Sequence, residues 1–212
     1  MAQQGPTAMM PAMSDLEALQ PEPMLRGERV WLGATDKEHV VADGEWLNDA
    51  EIGHFLGIKS PIGRDSATRF AEEFLSQAGK TLFPFNISLL ADDRRIGGCV
   101  LRDVDRENGS AEVAIFIFDR RLLGQGLGTD ALNCLVDFGF GELRLERIYL
   151  HVFDYNERAR RSYEKAGFHT DATLRHARFH HGVHHDVHLM SILRAEWLAL
   201  ERRRAWEPVA EG

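Results

Sequence analysis

The sequence predicts a mixed α/β fold, with one mostly antiparallel central sheet and helices on both faces. Three observations carry that expectation. Turn residues at Ala91-Asp-Asp93, Asn108-Gly109 and His181-Gly182 sit between alternating strand-like runs, and hairpins of that kind are antiparallel. Helical segments with recognisable start and stop residues fall between the strands. The chain has 212 residues, enough for one domain with a sizeable core.

Residues 1–24 stand apart. They hold five of the six methionines and four of the seven prolines, so a flexible extension is expected there. The alternative is a partner-binding helix around Ser14-Asp-Leu-Glu-Ala-Leu19. The first strand is expected at 29–32. Asp36 can cap a helix running towards Leu47, and Asn48-Asp49 begins a second short one. Asp65 or Ser66 can cap a third over 67–78, stopped by Gly79. Residues 83–90 and 94–102 form one hairpin, and 94–102 pairs with 111–118 in the next. A glycine-rich loop then opens a helix. A strand at 147–153, a helix at 156–166, two strands meeting at His181-Gly182 and a terminal helix over 195–206 complete the order. The main domain is assigned to 25–197 and a helical tail to 198–212.

The segment Arg121-Leu-Leu-Gly124-Gln125-Gly126-Leu127-Gly128-Thr129-Asp130 follows a hydrophobic strand and precedes a helix. A helix N-terminus carries unpaired N–H groups and the positive end of the dipole. Glycines let an anion approach those groups closely, and a pyrophosphate is the obvious ligand. A P-loop requires Gly-Lys-Ser/Thr, but Gly128 is followed by Thr129 and Asp130, so an NTPase is disfavoured. The Gly-x-Gly-x-Gly spacing in mid-chain also fits a dinucleotide fingerprint poorly. A tight connection without a ligand is the plain alternative.

Downstream, Asn156, Ala159 and Tyr163 fall on one helix face, while most intervening positions are charged. Gly167 suits the residue just past the helix. Singly, these residues read as a cap, a close-packing alanine and a core tyrosine; together they suggest a site.

Strand, glycine loop, helix, strand and Asn-x-x-Ala-x-x-x-Tyr-x-x-x-Gly-Phe together resemble the GNAT superfamily of N-acetyltransferases. Within it the chain is similar to the ribosomal-protein-alanine and spermidine acetyltransferase branch. Trp46-Leu-Asn-Asp49, Ile96-Gly-Gly98, Ile148-Tyr-Leu-His-Val152, Tyr163-Glu-Lys-Ala-Gly-Phe168 and Asp186-Val-His-Leu-Met190 carry that likeness, which covers residues 25–197. The family often has Gln or Arg three residues before the second-last loop glycine. Aligned on Gly126-Leu-Gly128 that position is Leu123; aligned two residues earlier it is Arg121. The resemblance implies an acyl-CoA N-acyltransferase fold whose strands 112–118 and 147–153 splay apart to admit a pantetheine arm. It also implies acetyl-CoA as acyl donor, Gly124 to Thr129 on its diphosphate, Asn156 on the pantetheine and Ala159 beside it, and Tyr163 as general acid.

The reaction would pass an acetyl group to a small-molecule or peptide amine. The amine must lose a proton, the tetrahedral oxyanion needs a donor, and the departing thiolate gains from a proton. A phenol, protonated at neutral pH, can supply that proton. Backbone amides near Ile115, Phe116 and Ile117 are the candidate oxyanion donors. Glu112 is the candidate base, against a plain solvated carboxylate; His151, Asp49 or a water chain are the alternatives. Cys134 lies among Leu132, Leu135, Val136 and Phe138, so it reads as a small buried hydrophobe and direct transfer is expected. A non-catalytic acyl-CoA-binding sensor on the same fold would also bind the cofactor.

The formal net charge of −8 disfavours nucleic-acid binding and either keeps the protein soluble or steers a cationic amine. The sequence has neither a run of the ~20 apolar residues that a membrane span needs nor a signal-peptide pattern, and its two cysteines suggest no disulfide framework. A cytoplasmic protein without membrane partners is the expectation. Exposed strand edges in the last hairpin favour a homodimer. Seven of the ten histidines lie between 169 and 188. Paired histidines across a hairpin can bind zinc or nickel, but neighbouring strand residues point to opposite faces, only alternate ones converge and no partner beyond Asp186 completes a site, so no metal is expected.

Overall fold

In the computed structural model, residues 23–208 are described. The extension and helix expected within residues 1–22, and the last four positions, lie outside that range. The strands are β1 (Leu25–Arg26), β2 (Val30–Ala34), β3 (Phe83–Leu89), β4 (Arg95–Asp105), β5 (Ser110–Ile117), β6 (Arg147–Phe153), β7 (His169–His180) and β8 (Val183–Leu193). The helices are α1 (Lys37–Trp46), α2 (Ala50–Leu56), α3 (Arg64–Ser76), α4 (Leu127–Gly141), α5 (Glu157–Lys165) and α6 (Arg194–Leu198). The strands form one eight-stranded sheet in the order β1-β2-β3-β4-β5-β6-β8-β7. Every neighbouring pair is antiparallel except β5 and β6. Parallel neighbours require a crossover, and α4 supplies it.

Local chemistry sets most boundaries. Asp49 caps α2, its carboxylate accepting from the amides of Glu51 (3.0 Å) and Ile52 (3.1 Å). Gly167, with φ of +94°, takes up the left-handed position after α5. The start of α3 differs from expectation. It begins at Arg64 with Gly63 as its N-cap and no capping side chain, so Asp65 sits inside the first turn, where the helix dipole favours its charge.

The helix expected over 195–206 is also shorter: α6 ends at Leu198, and the chain then turns back across α4. Asp137 of α4, 1% exposed, causes this. Its carboxylate accepts from Trp197 Nε1 (2.7 Å), from both terminal nitrogens of Arg202 (2.8 Å each) and from the amide of Ala205 (2.9 Å). These ties need a compact loop, and they override the helical propensity of the Arg- and Glu-rich tail.

The two faces of the sheet are covered differently. On one, α4 buries Leu132, Leu135, Val136 and Phe140, and its Phe138 packs against Phe83 and Phe85 (ring centroids 5.6 and 5.1 Å). On the other, Asn86 meets His39 of α1 (2.8 Å) and Arg95 pairs with Asp43 of the same helix. Phe85 and Asn86 are successive strand residues and so point to opposite faces. Strand β7 is the outer edge of the sheet and is mostly exposed. Among the described residues, no helix is long and apolar enough to cross a membrane.

Gly97 marks a close approach. A Cβ there would overlap the carbonyl oxygen of Phe116 on β5, next to the point where β4 bulges against its other neighbour, β3. Gly97→Ala is expected to cost about 1–3 kcal/mol by overpacking. Asp137→Ala, which removes the buried partner of the half-buried Arg202 guanidinium, is expected to cost about 3–5 kcal/mol. Denaturant unfolding of the two variants checks both values and their order.

Candidate active site

Strands β5 and β6 pair through only Ser110–Arg147, Ala111–Ile148 and Glu112–Tyr149. Beyond that point β5 stays on β4 as far as Ile117, and β6 stays on β8 as far as Phe153. The two strands therefore open into a wedge whose facing edges have no ladder partner among the described residues. Its vertex is at Glu112 and Tyr149, and its mouth is at the C-terminal ends of both strands. The amide of Phe118 donates to Ile96 O (2.8 Å), towards β4. Backbone direction alternates along a strand, so the amides of Ile115 and Ile117 face the wedge and that of Phe116 faces β4.

The glycine loop stands at the mouth. Gly124 (φ +75°) and Gly126 (φ +84°) are left-handed, and added Cβ atoms at either would meet nothing within 4 Å. Gly126 is the N-cap of α4 and no side chain caps the helix. The first amide bonded back is that of Asp130, to Gly126 O (2.9 Å). The N–H groups of Leu127, Gly128 and Thr129 have no partner among the described residues. Gln125 braces the loop through Nε2 to Arg121 O, and its own carbonyl accepts from Arg29 Nη1 (2.7 Å each).

Two loop residues face elsewhere. The Thr129 hydroxyl bonds the Ser162 hydroxyl of α5 (2.7 Å), joining the two helices. The Asp130 carboxylate accepts from the amides of Glu28, Arg29 and Val30 (3.1, 2.8 and 3.1 Å), so its charge is spent on the β1–β2 turn.

Helix α5 links β6 to β7. Both strands are antiparallel to β8, hence parallel to each other, so α5 runs back from mouth towards vertex. Asn156 stands at its start, and Tyr163 lies two turns, about 10 Å, further on. The Asn156 side-chain oxygen accepts from the amide of Ala159 (3.2 Å), so its capping role is real and its Nδ2 donor remains. Ala159 and Tyr163 both pack on the core, the tyrosine ring lying 6.1 Å from that of Phe168. Burial pushes the Tyr163 phenol up to about 12, which keeps it protonated. Its hydroxyl has no hydrogen bond among the described residues.

At the vertex, on the face away from α4, the buried Glu112 carboxylate accepts from Arg102 Nε (3.0 Å) and pairs with His151 Nδ1 (2.9 Å). Burial by itself would raise this carboxyl; the bonds from Arg102 and then His151 outweigh it and hold the group below the usual range. Two of the base candidates are thus one hydrogen-bonded unit. Nothing local in the sequence links them; the Glu112–Tyr149 register puts His151 on the same face as Glu112. Asp49 is committed otherwise: it caps α2 and receives the Arg120 guanidinium on both oxygens, and that bond, with the amide of Ile52, lowers its carboxyl. Cys134 is a buried free thiol, and burial pushes its ionisation well up, so it is held protonated. A cleft of about 540 Å³ lies beside the mouth, lined by Trp46, Asp49, Ile52, Phe118 and Arg120 among others.

Residues 29–169 match the family described as the acetyltransferase (GNAT) domain, more than half of the chain. The chain is 32% identical over 109 residues to the putative ribosomal N-acetyltransferase YdaF of Bacillus subtilis, covering 51% of this chain and 59% of that protein. It is 32% identical over 108 residues to the spermidine N(1)-acetyltransferase of Escherichia coli K12, covering 51% and 58%. The chain therefore spans about six-tenths of the length of these curated relatives. The spermidine N-acetyltransferase of Vibrio cholerae, solved in complex with CoA and spermine, shares the fold with a TM-score of 0.73 at 24% identity, over 80% of this chain and 98% of that one. The chain belongs to the GNAT family of acetyltransferases.

Proposed function

We propose that this protein transfers an acetyl group from acetyl-CoA directly to a primary amine, either a polyamine, a protein N-terminus or another small amine. The carrying observation is the wedge with an uncapped helix at its mouth. Unpaired strand edges suit the amide-bearing pantetheine, and the free amides of Leu127, Gly128 and Thr129 suit a diphosphate. Gly124, Gln125 and Gly126 shape the loop that would receive it. The names of the Bacillus and Escherichia relatives support an amine acceptor.

In this reading the Asn156 Nδ2 donor and Ala159 hold and border the arm, and the amides of Ile115 and Ile117 receive the oxyanion, with Phe116 between them. The amine nitrogen bonds the acetyl carbon as the carbonyl π pair moves to oxygen, and collapse of that oxyanion breaks the carbon–sulfur bond. Tyr163, protonated and otherwise unbonded, gives its proton to the leaving sulfur. Glu112 acts through His151: bonded at Nδ1, the imidazole keeps Nε2 as acceptor for the amine proton, directly or through water. Cys134 takes no part. The exposed edge of β7 is the surface on which two copies of the chain would pair.

Full-length protein incubated with acetyl-CoA and a panel of polyamines, N-terminal peptides and aminoglycosides is expected to release free thiol with at least one amine. A sensor on the same fold would bind acetyl-CoA and release none. Tyr163→Phe should lower kcat by about 100-fold or more while acetyl-CoA affinity changes little; equal loss of both would place the tyrosine in packing alone. Gly126→Ala forces an L side chain into a left-handed backbone and should weaken acetyl-CoA binding about tenfold by calorimetry. Cys134→Ala should leave an intersecting initial-velocity pattern intact; ping-pong kinetics lost in that variant would contradict direct transfer.

A further inference from the structure

Away from the wedge, His54 of α2 meets His180 and His181 of the β7–β8 hairpin. One ring nitrogen of each lies within 4.8 Å of the others, and His180 Nε2 is 3.1 Å from His54 Nδ1. The rule that adjacent strand residues diverge does not hold here, because His181 lies in the turn beyond β7. His181 (φ +46°) and Gly182 (φ +81°) are both left-handed, as in a two-residue hairpin turn. That turn swings the His181 ring back over His180, with centroids 3.9 Å apart. The third imidazole comes from a helix more than 120 residues earlier in the chain, as shown by the separation of 126 for the His54–His180 contact.

We propose that His54, His180 and His181 form a transition-metal site for zinc(II) that fastens α2 to the β7–β8 hairpin. Three imidazoles and an open fourth position are a donor set that zinc accepts. Zinc–nitrogen bonds of about 2.0–2.1 Å place tetrahedral ligand nitrogens about 3.3 Å apart. His54 and His180 already have that spacing. His181, exposed at the turn and stacked on His180, completes the set by turning its ring out of that stack so that its nitrogen faces the same point. Each ring offers a lone pair once its proton sits on the other nitrogen. The surroundings hold the ligands in place. Tyr155 stacks on His54 (4.5 Å) and donates its hydroxyl to the His54 carbonyl (3.2 Å). His185 pairs with Asp154 (3.1 Å), and Arg178 donates to Gly57 O, which ends α2. His180 is 5% exposed, so its placement is set by packing and not by solvent.

The site would join α2 to the β7–β8 hairpin beside the sheet face bearing His151 and Phe153, where the acceptor amine would be selected. A bound ion would fix their separation. That consequence rests on the acetyltransferase reading; metal binding does not.

Full-length protein free of any polyhistidine tag, stripped with chelator, is titrated with zinc chloride by calorimetry and with cobalt(II) by visible absorption. One equivalent of zinc, an intense tetrahedral cobalt band and a raised melting temperature are expected. His54→Ala should weaken zinc binding at least about 100-fold, beyond what loss of an outer-shell partner costs, and remove the band. His181→Ala, changed at an exposed turn, should do the same without threatening the fold. His184→Ala, on the hairpin but outside the cluster, should leave affinity within about twofold. Absence of stoichiometric binding, or zinc affinity unchanged in both His54→Ala and His181→Ala, overturns the site. Acetyl-CoA affinity, measured in parallel on the same variants, is expected to be unchanged, so failure of the metal site and failure of the acetyl-CoA reading give different results.

Discussion

The parting of β5 from β6 is the constraint on which the rest of the molecule depends. Two parallel strands in the middle of a sheet would ordinarily pair along their length, because a backbone amide left dry and unpaired costs free energy. Here pairing stops after Glu112 and Tyr149. The polar groups on the edges that remain, including the amides of Ile115 and Ile117, each need a hydrogen-bond partner. Water can supply one; so can a pantetheine arm. A wedge in the centre of the sheet is thus a candidate binding site by virtue of its unmet hydrogen bonds.

The elements around the wedge are arranged so that this opening does not destabilise the fold. Asp130 ties the first turn of α4 to the β1–β2 turn, and it leaves the three leading amides of the helix free by directing its charge elsewhere. Thr129 and Ser162 join α4 to α5, the two helices that line the mouth. Asp137 anchors the chain's last described turns to the same α4 helix. One helix therefore presents its N-terminus to the mouth while its middle carries the core. Glu112, buried at the vertex, keeps its charge because Arg102 and His151 both bond it.

Much of this was legible in the sequence because local signals fixed it. Asp36, Asp49, Gly109, Gly167 and the His181-Gly182 turn ended or began elements where capping and turn chemistry place them. The strand at 147–153 was recovered to the residue, and the glycine loop and the Asn156 helix gave the site its order. What was not legible depended on long-range partners. The tail's helical composition gave no hint of Asp137, and the roles of Asp130 and Thr129 required β1–β2 and α5 to be in place. Gly63 as the cap of α3 displaced two better capping side chains. The histidine convergence was not legible for two physical reasons: the turn rotates His181, and His54 arrives from another element altogether.

Residue-resolved amide hydrogen exchange, with and without acetyl-CoA, tests the central claim most directly. The account predicts that the cofactor slows exchange at Ile115, Ile117 and Leu127 to Thr129, the amides that are open at the wedge and at the start of α4. Exchange at those five amides that is the same with saturating acetyl-CoA, or protection confined to another surface, would contradict it.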